Sequence, residues 1–319
     1  MRRRLFPLAL LLWLGAALAQ PFPSKPVRII VAFPPGGGTD IVARLLGQKL
    51  AELWGQPVVV ENRAGASGTI GTEIAARAVA DGHTIFMATM GNMTANQHLY
   101  ARMAVEPLRA LAPITKVVDV HFAFLANPGL AAGNVAELIE LAKKRPGDIA
   151  YSSSGPGGAP HLAMELFKRR AGVDLRHIPY KGSGPGMNDL LGGRVMVTMD
   201  SVLQSLPHVK AGRLKALAVL GPRRIAMLPD VPAVSETVPG YSLTNWFGLV
   251  APAATPREIL QKLNADVVRT LKDPDLSRRI ADLGADVVGN SAEEFGAAMR
   301  AESAQWAEII RIANIRIEE

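Results

Sequence analysis

Apolar and polar positions follow two spacings in this chain, and the two alternate. Residues 27–31 form a β-branched run that predicts a strand, a Pro/Gly-rich loop follows, and residues 41–53 carry apolar positions at helical spacing. The unit then repeats, with a strand at 58–60, a glycine-rich loop at 61–71 and a helix at 74–80. A strand at 84–88 comes next, with a polar loop at 89–96. Residues 115–125 predict one long strand, and 135–144 a helix ended by Pro146-Gly147. Strand, loop and helix recur at 149–152, 153–160 and 161–171. Strands at 177–180 and 195–199 bracket a loop at 181–186 and a short helix at 187–191, and an apolar run at 214–220 enters a Pro-rich passage at 222–239. A strand at 246–250 precedes a helical tail at 256–271, 274–283 and 292–312, with Thr255 before Pro256 as the expected helix start. Such alternation builds a parallel sheet covered by helices. It runs twice, before and after about residue 120, which predicts two similar α/β lobes whose loops face one cleft.

Composition sharpens the class. The chain has 319 residues, 49% hydrophobic and 20% charged, with no cysteine. That mix excludes a disordered chain and a disulfide scaffold, and removes thiolate metal sites and a cysteine nucleophile. The length exceeds what one hydrophobic core usually holds, in keeping with two lobes. A net charge of +7 suggests nucleic acid until its source is located. Arg2, Arg3 and Arg4 precede an apolar run at 5–14 and the small residues Ala17-Leu18-Ala19. A basic start, an apolar middle and an A-x-A end describe a secretory signal peptide at 1–19, cleaved after Ala19. Its apolar run is too short to span a bilayer. Cleavage leaves a charge of +4 on residues 20–319, and the basic pairs that remain are scattered and hold no Trp or Tyr. Nucleic acid is therefore not an expected partner. The expectations are a periplasmic protein, a monomer, and no cofactor.

Four loops carry candidate chemistry. Phe33-Pro34-Pro35-Gly36-Gly37-Gly38-Thr39-Asp40 joins a strand to a helix, where glycines admit a ligand to the backbone and free N–H groups favour an anion. It is neither G-x-x-x-x-G-K-[ST] nor G-x-G-x-x-G, whose last glycine is Ile41 here. A plain glycine turn with Thr39 or Asp40 as N-cap is the other reading. Residues 151–161 offer hydroxyls and amides at a second strand-to-helix loop. Ser154 and His161 raise a secreted-hydrolase reading, but G-x-S-x-G is missing here and at Gly65-Ala66-Ser67-Gly68, where Thr69 takes the last place. His161 and Glu165 share a helix face without a second ligand pair, so a structural hydrogen bond from His161 is favoured over a metal. Residues 61–71 form the third loop; Pro179-Tyr180-Lys181-Gly182 with Met199-Asp200-Ser201 forms the fourth. No catalytic residue and no metal ligand is assigned.

In order along the chain, these landmarks resemble the Bug-type extracytoplasmic solute receptors of tripartite tricarboxylate transporters. They run from Phe33 to Asp40, from Glu61-Asn62-Arg63 through Gly71, over Asp81-Gly82-His83-Thr84, and from Tyr151 to Leu162. Pro179-Tyr180-Lys181-Gly182, Leu190-Leu191-Gly192-Gly193 and Trp246-Phe247-Gly248 with Ala251-Pro252-Ala253-Ala254-Thr255-Pro256 complete them. The resemblance implies a two-lobed type II periplasmic binding protein, a Venus flytrap with a mainly parallel, helix-flanked sheet in each lobe. Residues 20–117 and 247–319 would form lobe 1, and 118–246 lobe 2. It implies capture of a small carboxylate or related organic acid by amides, hydroxyls and ordered water. The acid would be delivered to membrane permease subunits, or reported to a membrane sensor. Carried over by position, the ligand-binding residues on lobe 1 are Phe33, Gly37, Gly38, Thr39, Asp40, Ala66, Ser67, Gly68, Thr89 and Asn92. On lobe 2 they are Ser153, Ser154, Gly158, His161, Lys181 and Asp200. For Asp40, bracing of its own loop is favoured over a ligand contact. Ala64 stands where the family commonly has proline, which is expected to loosen that turn. Reversible capture suits neutral donors and water, since a buried ion pair is costly to desolvate.

Overall fold

The computed structural model describes residues 22–313, so the signal peptide expected at 1–19 lies outside the described residues. β1 (Val27–Val31) buries every residue but Arg28, as a strand covered on both faces does. α1 (Gly38–Trp54) starts three residues before its apolar spacing, because Gly38, Thr39 and Asp40 form its first turn, and Gly55 at φ +62° ends it. β2 (Val58–Asn62), α2 (Thr69–Ala76) and β3 (Thr84–Thr89) follow, so the helix expected at 74–80 begins five residues earlier. The polar loop expected at 89–96 is wound into a π-turn at Gly91–Ala95 and a 3₁₀ turn at Asn96–His98. α3 (Pro107–Ala110), β4 (Leu111–Val120), β5 (Phe122–Ala126), α4 (Val135–Lys144) and β6 (Ala150–Ser153) come next. They lead to α5 (Ala159–Ala171), β7 (Arg176–Pro179), α6 (Ser183–Leu191), β8 (Val197–Ser201), α7 (Val202–Lys210) and β9 (Lys215–Val219). β10 (Asn245–Pro252), α8 (Arg257–Leu271), α9 (Pro274–Asp282), β11 (Ala285–Val287) and α10 (Ala292–Ala313) close the described chain.

Two sheets result, ordered β11-β4-β10-β3-β1-β2 and β7-β6-β8-β5-β9. In the first, β2 and β3 run parallel to β1; β10 lies antiparallel between β3 and β4, and β11 antiparallel to β4, so four strands point one way and two the other. In the second, β7 and β8 run parallel to β6, and β5 is the one reversed strand, between β8 and β9. The chain enters the second sheet by β5 and returns to the first by β10, so each crossing delivers a strand that is reversed against its neighbours. The single strand expected at 115–125 is therefore two. β4 pairs with β10 as far as Val120, β5 pairs with β8 from Phe122, and His121 lies between. Both halves are buried in their own sheets, so the apolar run gives no sign of the break.

The helical tail packs back on the first sheet. Trp54 Nε1 donates to Asp266 at 2.7 Å, tying α1 to α8. Trp246 Nε1 and Thr94 Oγ1 donate to Glu302 of α10 at 2.9 and 3.0 Å. Thr255 does not cap α8: Pro256 holds the N-cap position and the Thr255 hydroxyl has no hydrogen-bond partner. Among the described residues no helix is long and apolar enough to cross a membrane.

Candidate ligand-binding site

The loops of both sheets meet around one cavity. The first sheet's side supplies Phe33, Gly37, Gly38, Thr39 and Thr89; the second supplies Ser154, Ala159, Pro160, Ser183, Asp200 and Ser201. Phe122, Asn245 and Phe247 come from the strands at which the chain changes sheet. Four helices, α1, α5, α6 and α7, begin at this wall. The first three have glycine at the N-cap, Gly37, Gly158 and Gly182, and no side-chain cap. The opening N–H groups of a helix have no partner within it, so here they stay available to a guest. At α7 the Ser201 hydroxyl accepts from Leu203 N at 3.1 Å. No Lys, Arg or His is among the lining residues. Unpaired N–H groups and converging positive helix ends suit an anion without a cationic side chain.

Buried polar residues hold the loops in place. Asp40 accepts from Gly36 N at 3.0 Å, Arg44 Nε at 3.0 Å and Asn62 Nδ2 at 2.9 Å, and Arg44 Nη2 lies 2.9 Å from its second oxygen. Burial acts to raise the Asp40 pKa, but the donors from Arg44, Gly36 and Asn62 outweigh it and keep the group below the ordinary carboxylate value. Asn62 Nδ2 also reaches Phe33 O at 2.9 Å, so the end of β2 fixes the glycine loop. On the other side His161 Nδ1 accepts from Gly157 N at 3.1 Å, and its ring stacks on His177 at 4.4 Å, which stacks on Tyr151 at 4.8 Å. Burial pushes His161 down to about 4 and, with His161 beside it, His177 down to about 3, so both rings are neutral at neutral pH. Asp200 is different. It accepts from Ser201 N at 2.7 Å and Ser183 Oγ at 3.0 Å, yet burial still pushes it up to about 6.

The structure thus sorts the expected residues. Phe33, Gly37, Gly38, Thr39, Thr89, Ser154 and Asp200 line the cavity. Asp40 and His161 brace the loops behind it, and Gly158 caps α5. Asn92 Oδ1 accepts from Thr89 N at 2.9 Å and positions that strand end. Ala66 and Ser67 hold left-handed backbone, φ +44° and +49°, and Ser67 O accepts from Asn96 Nδ2 at 3.1 Å. Ser67 and Gly68 are not on the cavity wall: Ser67 sits at a contact between the two loop sets, where a Cβ added at Gly155 would lie 2.5 Å from Ser67 Oγ, and Gly68 faces Ala32 and Asn92 of its own side. Beside it Tyr100 Oη donates to Pro156 O at 2.8 Å. Lys181 is exposed. The serine–histidine contact in this region is not Ser154 with His161 but Ser153 Oγ with His177 Nε2, 2.6 Å apart, and Ser153 does not line the cavity. Ser183 and Ser201 also line the cavity and lie in loops the sequence singles out, without a signal of their own. Phe122 and Asn245 have no sequence signal of their own, and Phe247, Ala159 and Pro160 fall within the matched landmarks without being marked there as lining residues.

The family described as tripartite tricarboxylate transporter family receptor matches residues 42–315. Among solved structures, the periplasmic binding protein BugD is 37% identical with a TM-score of 0.89, covering 93% of this chain and 100% of that one. Rpa4515 of R. palustris, solved with adipate, is 35% identical with a TM-score of 0.90 over 92% of this chain and 99% of its own. MatC of Rhodopseudomonas palustris, solved with bound malate, is 30% identical with a TM-score of 0.87 over 91% and 100%. With two α/β halves around one cavity, the chain belongs to the tripartite tricarboxylate transporter receptor family, as a Bug-type periplasmic binding protein.

Proposed function

We propose that this protein captures a small organic acid, as its carboxylate, in the cavity between two lobes and hands it to the membrane permease subunits of a tripartite tricarboxylate-type transporter. One lobe comprises residues 22–120 and 245–313, the other 121–244, with hinges where the chain changes sheet. The carrying observation is the convergence of four helix N-termini on a cavity without a cationic side chain. Amide donors of both lobes grip the acid, so its arrival draws the lobes together, and neutral donors let it leave again. Adipate and malate in the related structures support a small di-acid as the ligand class. The signal peptide at 1–19 sends the chain to the periplasm, where it works as a monomer. The reading involves no catalysis, metal or cofactor.

A thermal-shift screen followed by calorimetry tests it. Mono-, di- and tricarboxylates, aromatic acids, neutral sugars and amines are each added to the purified protein. At 100 times its Kd a binder adds about 2.7 kcal/mol of stability, a readily visible shift. At least one carboxylate is expected to stabilise the protein while sugars do not; stabilisation by sugars or amines alone would refute the proposal.

A further inference from the structure

Asp200 stands at the end of β8 and is the one ionisable residue among those lining the cavity. It is 4% exposed, and the groups that donate to it, Ser201 N and Ser183 Oγ, are neutral. Its partner across the sheet on β5 is Ala123, and α7 adds Gln204 beside it. Charged and titratable groups on the surrounding elements are engaged elsewhere. Asp40 of α1 is held by Arg44, Glu165 of α5 by Lys168 and by Tyr151 of β6, and Asp189 of α6 by Arg194 and Tyr180. His161 of α5 accepts from Gly157, while His208 and Lys210 lie in the last turn of α7, at the far end from Ser201 and Asp200.

An anion drawn in by the helix ends therefore shares the cavity with a like charge that no cation offsets. Two carboxyl groups in one site do not both stay ionised without a donor between them. We infer that Asp200 is the specificity-determining acceptor of this site: a bound acid presents one hydrogen-bond donor to it, either a proton taken up on binding or a hydroxyl or ammonium of the ligand. The inference rests on the carboxylate reading above. With its pKa near 6, Asp200 draws that proton from solvent close to neutral pH. Plain acids then bind more tightly as pH falls, whereas acids with their own donor hold their affinity further into the alkaline range.

The test uses matched pairs, propionate with lactate, succinate with malate, and glutarate with 2-hydroxyglutarate. Each is titrated calorimetrically at pH 5.5, 7.0 and 8.5 in buffers of contrasting ionisation heat, which counts the protons taken up. Plain acids are expected to bring in up to one proton and to lose roughly tenfold in affinity per pH unit above Asp200's range. At pH 8.5 the hydroxy member is expected to bind roughly tenfold or more tightly than its partner. Asp200→Asn keeps an oxygen for Ser201 N and adds a donor toward the ligand, so plain acids are expected to bind it independently of pH, with the hydroxy preference gone. Ser183→Ala removes one donor from the carboxylate and is expected to move proton uptake to higher pH; circular dichroism establishes that each variant folds. Plain acids binding without proton uptake and equally at all three pH values would overturn the inference and leave the carboxylate reading standing. So would an unchanged hydroxy preference in Asp200→Asn. If no carboxylate binds the wild type at all, the underlying reading falls and the inference with it.

Discussion

The loops that open α1 and α5 are built alike but charged differently. In each, a glycine with positive φ, Gly36 at +86° or Gly157 at +82°, donates its N–H to the side chain four residues on, Asp40 at 3.0 Å or His161 at 3.1 Å. Each acceptor is the third residue of its helix and lies off the cavity wall, so it tightens the loop without occupying the free N–H groups of the first turn. The first lobe does this with a carboxylate whose charge Arg44 offsets. The second does it with a neutral imidazole in a stack of three rings. A carboxylate at 161 would add a second buried negative charge to the side that already holds Asp200, whereas the first side has none on the wall. One bracing geometry therefore admits either chemistry, and the charge already present in the cavity separates them.

Gly38 is the position at which a substitution strikes the first loop hardest. A Cβ there would lie 3.2 Å from Ser201 Oγ and 3.4 Å from Leu203 Cδ1 on the facing side, and 3.4 Å from Phe247 Cε2 of its own sheet, so it points out of its own loop toward the facing residues. Gly38→Val is expected to cut affinity roughly 10- to 100-fold, the scale of overpacking, and to abolish ligand-induced thermal stabilisation. The melting temperature without ligand should barely move; normal ligand stabilisation would show that the lobes do not close on this residue. Next comes the charged brace itself. Asp40→Ala strands the donors of Gly36 and Asn62, and is expected to cost about 2 kcal/mol in urea unfolding. The Arg44 pair adds little to that figure, because Arg44 is half exposed.

How much of this the sequence discloses follows from what each residue contacts. Strands and helices were legible because their apolar spacing reports burial, and β1, α1 and α5 fall close to where it puts them. The break at His121 was not, since burial in two different sheets leaves the same apolar run as burial in one. Gly37-Gly38-Thr39 before a helix made the glycine loop legible as a candidate cradle, and these residues line the cavity. Its brace was harder: Asp40 and His161 lie in the same first turns as the lining residues, and only the direction of the side chain separates bracing from lining. Phe122 and Phe247 read as core because strands are expected to be apolar, and nothing in their neighbours marks the point where two sheets meet.

The smallest expected effect separates the two braces by pH. His161 titrates at 6.5 when unfolded and near 4 when folded, so its neutral form stabilises the fold fully above about 6.5, and that contribution is lost as pH falls toward 4. Asp40 is held below its unfolded value of 3.8, so its contribution persists above 3.8 and is lost only below it. The second-lobe loop should therefore loosen first on acidification. Asp200 acts in the opposite sense across part of that window, because its raised pKa makes the folded state bind the extra proton between about 4 and 6. Global melting mixes these signs, and the decisive measurement is local. Between pH 6.5 and 4.5, after correction for intrinsic rates, the Gly157 amide should lose exchange protection while the Gly36 amide keeps it. His161→Gln is expected to weaken the fold at pH 7 by about 1 kcal/mol, with Gly157 protection no longer changing over that interval. Equal acid sensitivity at Gly36 and Gly157 in the wild type would mean that both loops titrate through a shared group and that the two braces are not independent.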